Sequence, residues 1–309
     1  MRRSAGRSEP RRENMRSLRA RCTLLGLAIL TGAGVADTLA ADSSRVSNHA
    51  RIWHAHHSGW LIETPRHLLI FDFIGDGGQD SVRRLVDRLL QASESDGRRV
   101  LVFVTHEHDD HYSSVIYKWQ RRIPSITYVL GLHTRKAENR VMLEARADTV
   151  VDGVRVRTIR STDLGVGFLV DVDSIGVFHA GDHAQWDASE RAAYEREIDW
   201  LAASGVTVDL AFVPIATGWT CETSQDLEVG AAYALIKLRP AVAFPMHVRC
   251  PDRLHLYRAF AEHMKSYAGR GTLLYAERLG EGFDYDPRTR QVVRLRAGAE
   301  CEPGPGRTG

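Results

Sequence analysis

The residues His106-Glu107-His108-Asp109-Asp110-His111 place three imidazoles and a string of carboxylates within six positions. In extended backbone, residues two apart point the same way, so His106 and His108 can grip one ion. Asp110 and His111 then face a position beside it. Three imidazoles with a carboxylate suit zinc or another borderline divalent metal. The ordinary alternative is a polar loop that opens a helix, with Asp110 near the helix N-terminus. Two later segments favour the metal. Gly176–His179 runs into Ala180-Gly181-Asp182, and Val242–Met246 ends at His247. In open α/β folds ligands sit at strand carboxyl ends, and here three such ends each offer a donor. Asp182 has two carboxylate oxygens and could bridge two ions, with His247 completing the second.

The elements that must position these groups are a mixture of strands and helices. Extended segments are expected at Trp60–Thr64 and Leu68–Phe73, with a turn at Pro65-Arg66. Val82, Leu85, Val86, Leu89 and Leu90 recur at helical spacing across Ser81–Ala92. A strand over Arg99–Thr105 leads into the histidine cluster, and a helix is expected over Ser113–Arg122. Strands follow at Ile126–Leu130, Val154–Ile159, Gly167–Val172 and Gly176–His179, the last two antiparallel across Asp173-Ser174. Helices Ser189–Ala203 and Ser224–Leu238 then alternate with strands Leu210–Ile215 and Val242–Met246. Leu254–Tyr267 reads as a last helix, before extended segments at Thr272–Ala276 and Gln291–Leu295. Strands first, then strands and helices in alternation, indicate an α/β protein with layered sheets flanked by helices.

The order of these features resembles the metallo-β-lactamase fold hydrolases. The resemblance rests on the HxHxDH hexapeptide at 106–111, on Gly181-Asp182 and on Pro245-Met246-His247. An opening His57-Ser58-Gly59-Trp60-Leu61-Ile62-Glu63 followed by Leu69-Ile70-Phe71-Asp72 also matches, so it spans about residues 50–250. It implies a four-layer αββα sandwich with metals at one edge: His106, His108, Asp110, His111, Asp182 and His247 as ligands, and a metal-activated water as nucleophile. Asp110 would both ligate and orient that water and accept its proton. The cofactor would be one or two divalent ions, zinc first, with manganese or iron as alternatives. The opening and the final PMH look most like the subgroup of lactonase-like and phosphodiesterase-like enzymes. The expected activity is therefore hydrolysis of an ester, lactone or phosphodiester-type small-molecule substrate. The other reading is a non-catalytic binding or scaffold protein of this fold that retains one structural ion.

One position departs from the family. A third histidine for the first metal is expected between the hexapeptide and Asp182, and the matching stretch has Ser161 instead. Asp163 or His183 could substitute. A carboxylate from Asp163 would favour a harder ion than zinc. Without a substitute, a single ion held by Asp110, His111, Asp182 and His247 becomes the expectation. The resemblance places Asp72 behind the metal histidines as an orienting acceptor. His57 either faces the pocket or is an ordinary core or surface histidine. Arg249 could hold an anionic substrate group or stay solvated. Trp186 and Trp219 either wall the pocket or pack in the core. Cys221 and Cys250 sit in loops after two neighbouring strands and form a candidate disulfide, leaving Cys301 unpaired.

Composition bounds the rest. The chain has 309 residues, 43% hydrophobic and 26% charged, with 14 histidines and a net charge of +2. Those are globular values. The charge is uneven: residues 1–41 carry eight arginines against Glu9, Glu13 and Asp37, a net of +5. Residues 42–309 keep 33 basic and 36 acidic residues, a net of −3. Arg16, Arg19 and Arg21 precede the apolar run Thr23 to Ala36, then small residues ending at Ala40-Ala41. This is the layout of a secretory signal peptide, with Met15 an alternative start. The apolar run is shorter than the ~20 residues a membrane span needs. The expected organisation is a signal peptide over 1–41, a metallo-β-lactamase-like domain over 42–298 and a disordered tail over 299–309. The product would be periplasmic or secreted, without a stable membrane span. Export and the −3 charge both argue against a nucleic-acid substrate.

Overall fold

In the computed structural model, residues 48–132, 137–267, 269 and 271–296 are described. The leader over 1–41 and the tail over 299–309 lie outside them, as does Cys301. The chain first lays down β1 (Ala50–His56), β2 (Gly59–Glu63), β3 (His67–Phe71), helix α1 (Asp80–Asp96), β4 (Arg99–Val104), β5 (Thr127–Leu130) and β6 (Arg140–Met142). A second series follows: β7 (Asp148–Val151), β8 (Val154–Arg160), β9 (Val166–Val172), β10 (Ile175–His179), α2 (Arg191–Ala203), β11 (Leu210–Pro214), α3 (Gln225–Leu238), β12 (Val242–Met246), α4 (His255–His263) and β13 (Thr272–Leu273). Strands β14 (Gly282–Asp286) and β15 (Gln291–Arg294) then return to the first sheet. The first sheet has the order β15-β14-β1-β2-β3-β4-β5-β6, and the second β13-β12-β11-β10-β9-β8-β7.

Strand patterning shows why two sheets stack. In β3 and β4 every residue but Arg99 is buried, as expected of strands covered on both faces. Leu69, Phe71, Leu101 and Phe103 enter the core between the sheets, with Phe168, Val170 and Phe212 opposite. Leu68, Ile70, Val100, Val102 and Val104 point the other way, onto Val82, Leu85, Val86 and Leu89 of α1. Each such side chain contributes about 1.5–3 kcal/mol when fully buried. On the far face of the second sheet, α2 and α3 add Tyr194, Ile198, Leu201, Ala231, Ala234 and Leu235, and α4 adds Tyr257 and Phe260. The layers are therefore helix, sheet, sheet, helix.

The site depends on strand direction. Strands β3, β4 and β5 are parallel, as are β10, β11 and β12, while β9 pairs antiparallel with β8 and β10. The turn at Asp173-Ser174 joins β9 to β10 as expected.

Three expectations change. Residues Ser114–Arg121 form a 3-10 helix rather than an α-helix, and the last helix stops at His263, followed by a 3-10 turn at Met264–Ser266. Strands β1, β6, β7 and β14 fall outside the segments expected to be extended. In β1 the buried positions include His54 and His56, and in β14 Phe283 and Tyr285 alternate with Gly and Asp, a period-2 strand pattern not singled out in the sequence. No helix among the described residues is long and apolar enough to cross a membrane.

Candidate metal centre

The hexapeptide begins two residues beyond β4, and its first turn is held from behind. Asp72, directly after β3, is fully buried at φ +41°. Its Oδ1 accepts the Thr105 N–H at 2.8 Å, and its Oδ2 accepts the Thr105 hydroxyl and His111 Nδ1, both at 2.8 Å. The β8–β9 turn closes over the same peptide. A side chain at Gly165, whose φ is +72°, would meet Thr105 O at 2.1 Å and His106 Cβ at 2.6 Å. Only glycine allows that approach.

These bonds fix which nitrogen of each imidazole faces the cluster. The Asp72 carboxylate can only accept, so His111 donates to it from Nδ1 and turns Nε2 inward. His247 Nδ1 lies 2.7 Å from Ala216 O, another pure acceptor, so its Nε2 also faces inward. The single Thr105 hydroxyl proton goes to Asp72. His106 Nδ1, 3.0 Å from that oxygen, must therefore donate, which leaves its Nε2 on the cluster side. All three Nε2 atoms converge on Asp182. Its Oδ1 is 2.8 Å from His111 Nε2 and 2.9 Å from His247 Nε2, and its Oδ2 is 3.3 Å from His106 Nε2. His111 Nε2 and His247 Nε2 are 3.1 Å apart. Imidazole nitrogens and carboxylate oxygens packed this closely need a cation among them, either a proton or a metal ion. Imidazole and carboxylate donors of this kind suit zinc.

Among the described residues, two groups of donors each have their ligand atoms within 4.8 Å of one another: His57, Asp110, His111 and His247, and His106, His108 and Asp182. Electrostatics point the same way. Burial opposes charge on His111, but Asp182 and Asp72 outweigh it and raise its pKa to about 10. Burial likewise opposes ionisation of Asp182, which His247, His111 and His106 nevertheless hold well below the usual carboxylate range. For Asp110, burial is overcome by His57, His111 and His247, so its carboxylate stays ionised. A cluster that holds a proton this tightly suits a divalent ion in its place.

The remaining residues singled out in the sequence divide. Asp163 and His183 join neither donor group. Asp163 is half-exposed at the rim, with Oδ2 3.9 Å from His108 Nδ1. His183 turns away, stacks on Tyr194 at 4.6 Å and is pushed down to about 3 by burial. Trp186 does wall the site: its Nε1 donates to Asp182 O at 3.2 Å, and its ring lies 5.4 Å from His247. Trp219 is 75% exposed, and the Arg249 guanidinium sits 4.6 Å above it while contacting Asp109 at 3.3 Å. Cys221 and Cys250 form a disulfide. Residues without a signal in the sequence also matter: Thr105, which relays between Asp72 and His106, and Gly218, whose backbone lies against Asp110.

No protein-family model matches the sequence, and a search of curated proteins finds no match. Solved structures do match. Igni18, a metallo hydrolase from the hyperthermophilic archaeon Ignicoccus hospitalis, aligns with a TM-score of 0.54 at 20% identity, over 77% of this chain and 98% of its own. YhfI from Bacillus subtilis, a metallo-beta-lactamase fold protein, gives 0.53 at 10% identity, over 77% and 99%. CmlA from Streptomyces venezuelae, a diiron beta-hydroxylase, gives 0.50 at 13% identity, over 81% of this chain and 54% of its own. At these identities the likeness is one of fold.

Proposed function

Given that the chain has the metallo-β-lactamase fold, we propose that it is an exported, metal-dependent hydrolase acting on an ester, lactone or phosphodiester-type small molecule. The observation that carries this reading is the convergence of three imidazole Nε2 atoms on the Asp182 carboxylate. A divalent ion bound there supplies a Lewis acid and brings the pKa of water towards about 7. Zinc suits the imidazole-rich donors, with manganese or iron as the alternatives. The protein's own groups do the rest. Asp72 and the Ala216 carbonyl fix the histidine tautomers and ring orientations. Asp110, ionised beside the cluster, orients the attacking water and accepts its proton. Arg249, clamped between Asp109 and Trp219, offers a cation to an anionic substrate group, and Trp186 covers one flank.

Export is supported by the arginine-rich, then apolar, leader and by the Cys221–Cys250 disulfide, a bond typical of oxidising compartments. The −3 balance of residues 42–309 disfavours a polyanionic substrate.

A second reading, a binding protein with one structural ion, draws on the three-donor group in which His108 is exposed. The two separate by experiment. Purified protein supplied with zinc or manganese is assayed against carboxyl esters, lactones and chromogenic phosphodiesters. Asp110→Ala and His108→Ala should each lower the detected turnover at least ~100-fold, since each removes an arm of the metal-and-base machinery. Unchanged turnover in both variants sinks the hydrolase reading. A tightly held ion with no turnover on any class supports the binding protein.

A further inference from the structure

His57 is fully buried; its Nδ1 has no polar partner, and its Nε2 reaches only Asp110 Oδ2, at the 3.5 Å edge of hydrogen-bond range. A buried polar group left unpaired costs about 1–3 kcal/mol. Two nearby histidines each commit Nε2 to a backbone carbonyl. His54 directs Nε2 to the His57 carbonyl at 3.3 Å, and His179 directs Nε2 to Ser58 O at 2.9 Å. The fold also spends strain on His57, which sits in the left-handed region at φ +53°. Three donors hold it there through its carbonyl oxygen: His54 Nε2 at 3.3 Å, the Tyr257 hydroxyl at 3.3 Å and the His247 N–H at 3.4 Å. The result is a ring 4.2 Å from that of His247 and 5.2 Å from that of His111, with Nε2 3.5 Å from Asp110 Oδ2. His183 is the instructive contrast. It too is buried and poorly satisfied, but its ring stacks on Tyr194 and belongs to no donor group. Among the described residues, only His57 combines a poorly satisfied buried imidazole with three other donors within 4.8 Å.

We propose that His57 is a direct metal ligand, which makes the position formed with Asp110, His111 and His247 the tight one. The other position keeps only His106, His108 and Asp182, with His108 exposed. The centre is then unequal by construction: one well-furnished position, and one that fills only at higher metal concentration. This rests on the metal-site reading above and needs no hydrolytic activity.

The test is a titration of metal-free full-length protein with cobalt(II) and zinc(II) against a competing chelator, with cobalt absorption bands reporting the ligand set. Wild type should bind one ion tightly and a second at least ~10-fold more weakly. Losing a partner that only orients a ligand costs about 10–100-fold in metal affinity, so His57→Ala should weaken the tight step by at least ~100-fold and shift its cobalt bands. If His57→Ala does not fold, wild type labelled with 15N-histidine and one equivalent of 113Cd decides. Coupling from cadmium to nitrogens of three histidines supports the assignment, and coupling to only two overturns it. So does an unaltered tight step in a folded His57→Ala. A wild type that binds no divalent ion would instead remove the metal-site reading itself.

Discussion

A methyl group on Gly218 would lie 2.6 Å from Asp110 Oδ2 and 3.2 Å from His247 Cε1. Both contacts are to donor side chains, so Gly218→Ala can be accommodated only by moving one of them. The loop is otherwise open, with Trp219 beside it largely in solvent, so the fold has no reason to suffer. We expect a melting temperature within a few degrees of wild type, with turnover down about 10–100-fold because a displacement near 1 Å at the reacting groups has that cost. Parallel measurement of turnover, metal content and thermal unfolding checks this; a variant with wild-type turnover would show that Asp110 tolerates the shift. The contrast with the hexapeptide is instructive. His106, His108, Asp110, His111, Asp182 and His247 were legible because their chemistry is in the residue type and their spacing follows strand ends. Gly218 and Thr105 were not. Their parts depend on which backbone comes close to which ligand, and that distance has no trace in local sequence. His57 lay between: its type was visible, but its left-handed backbone and its poorly satisfied nitrogens were not.

At the scale of elements, most strands were legible because both faces are buried and the apolar runs are unbroken. β1 was not, since histidines occupy interior positions that an apolar pattern would fill. The short turns that end these strands hold one tie of their own. Asp173, at the β9–β10 turn, accepts the Thr64 hydroxyl at 2.6 Å, the Arg66 N–H at 3.1 Å, Arg66 Nε at 2.7 Å and His67 Nδ1 at 3.0 Å. It thereby fastens the second sheet to the β2–β3 turn of the first. Burial works against its charge, yet His67, Thr64 and Arg66 hold its carboxyl far below the usual range. A depressed folded-state pKa stabilises above the unfolded value, about 3.9, and that stability is lost as pH falls from there towards the folded value. Asp173→Asn should therefore cost about 1–3 kcal/mol at neutral pH, the penalty of leaving buried donors without their acceptor. The gap to wild type should narrow below about pH 4 in urea melts. A gap of the same size at pH 3 and pH 7 would show that the carboxylate charge is not what matters.

At the scale of the whole molecule, the +2 charge divides into a basic first 41 residues and an acidic remainder that carries the paired cysteines. The disulfide ties the loop after β11 to the loop after β12, over a separation of 29 residues. Closing a loop of that size restricts the unfolded chain enough to contribute about 2–4 kcal/mol. It also anchors two pieces of the site at once. The first loop carries Gly218 and the Ala216 carbonyl that orients His247, and the second follows His247 itself. Reduction should therefore lower the melting temperature and, separately, weaken metal binding, because the carbonyl that sets the His247 tautomer is released. Cys221→Ser/Cys250→Ser should reproduce both effects without reductant and become insensitive to it. Thiol counting on protein recovered from an oxidising compartment gives the direct check. Of Cys221, Cys250 and Cys301, only one should react before reduction and all three after it. Three reactive thiols in the native protein would remove the disulfide.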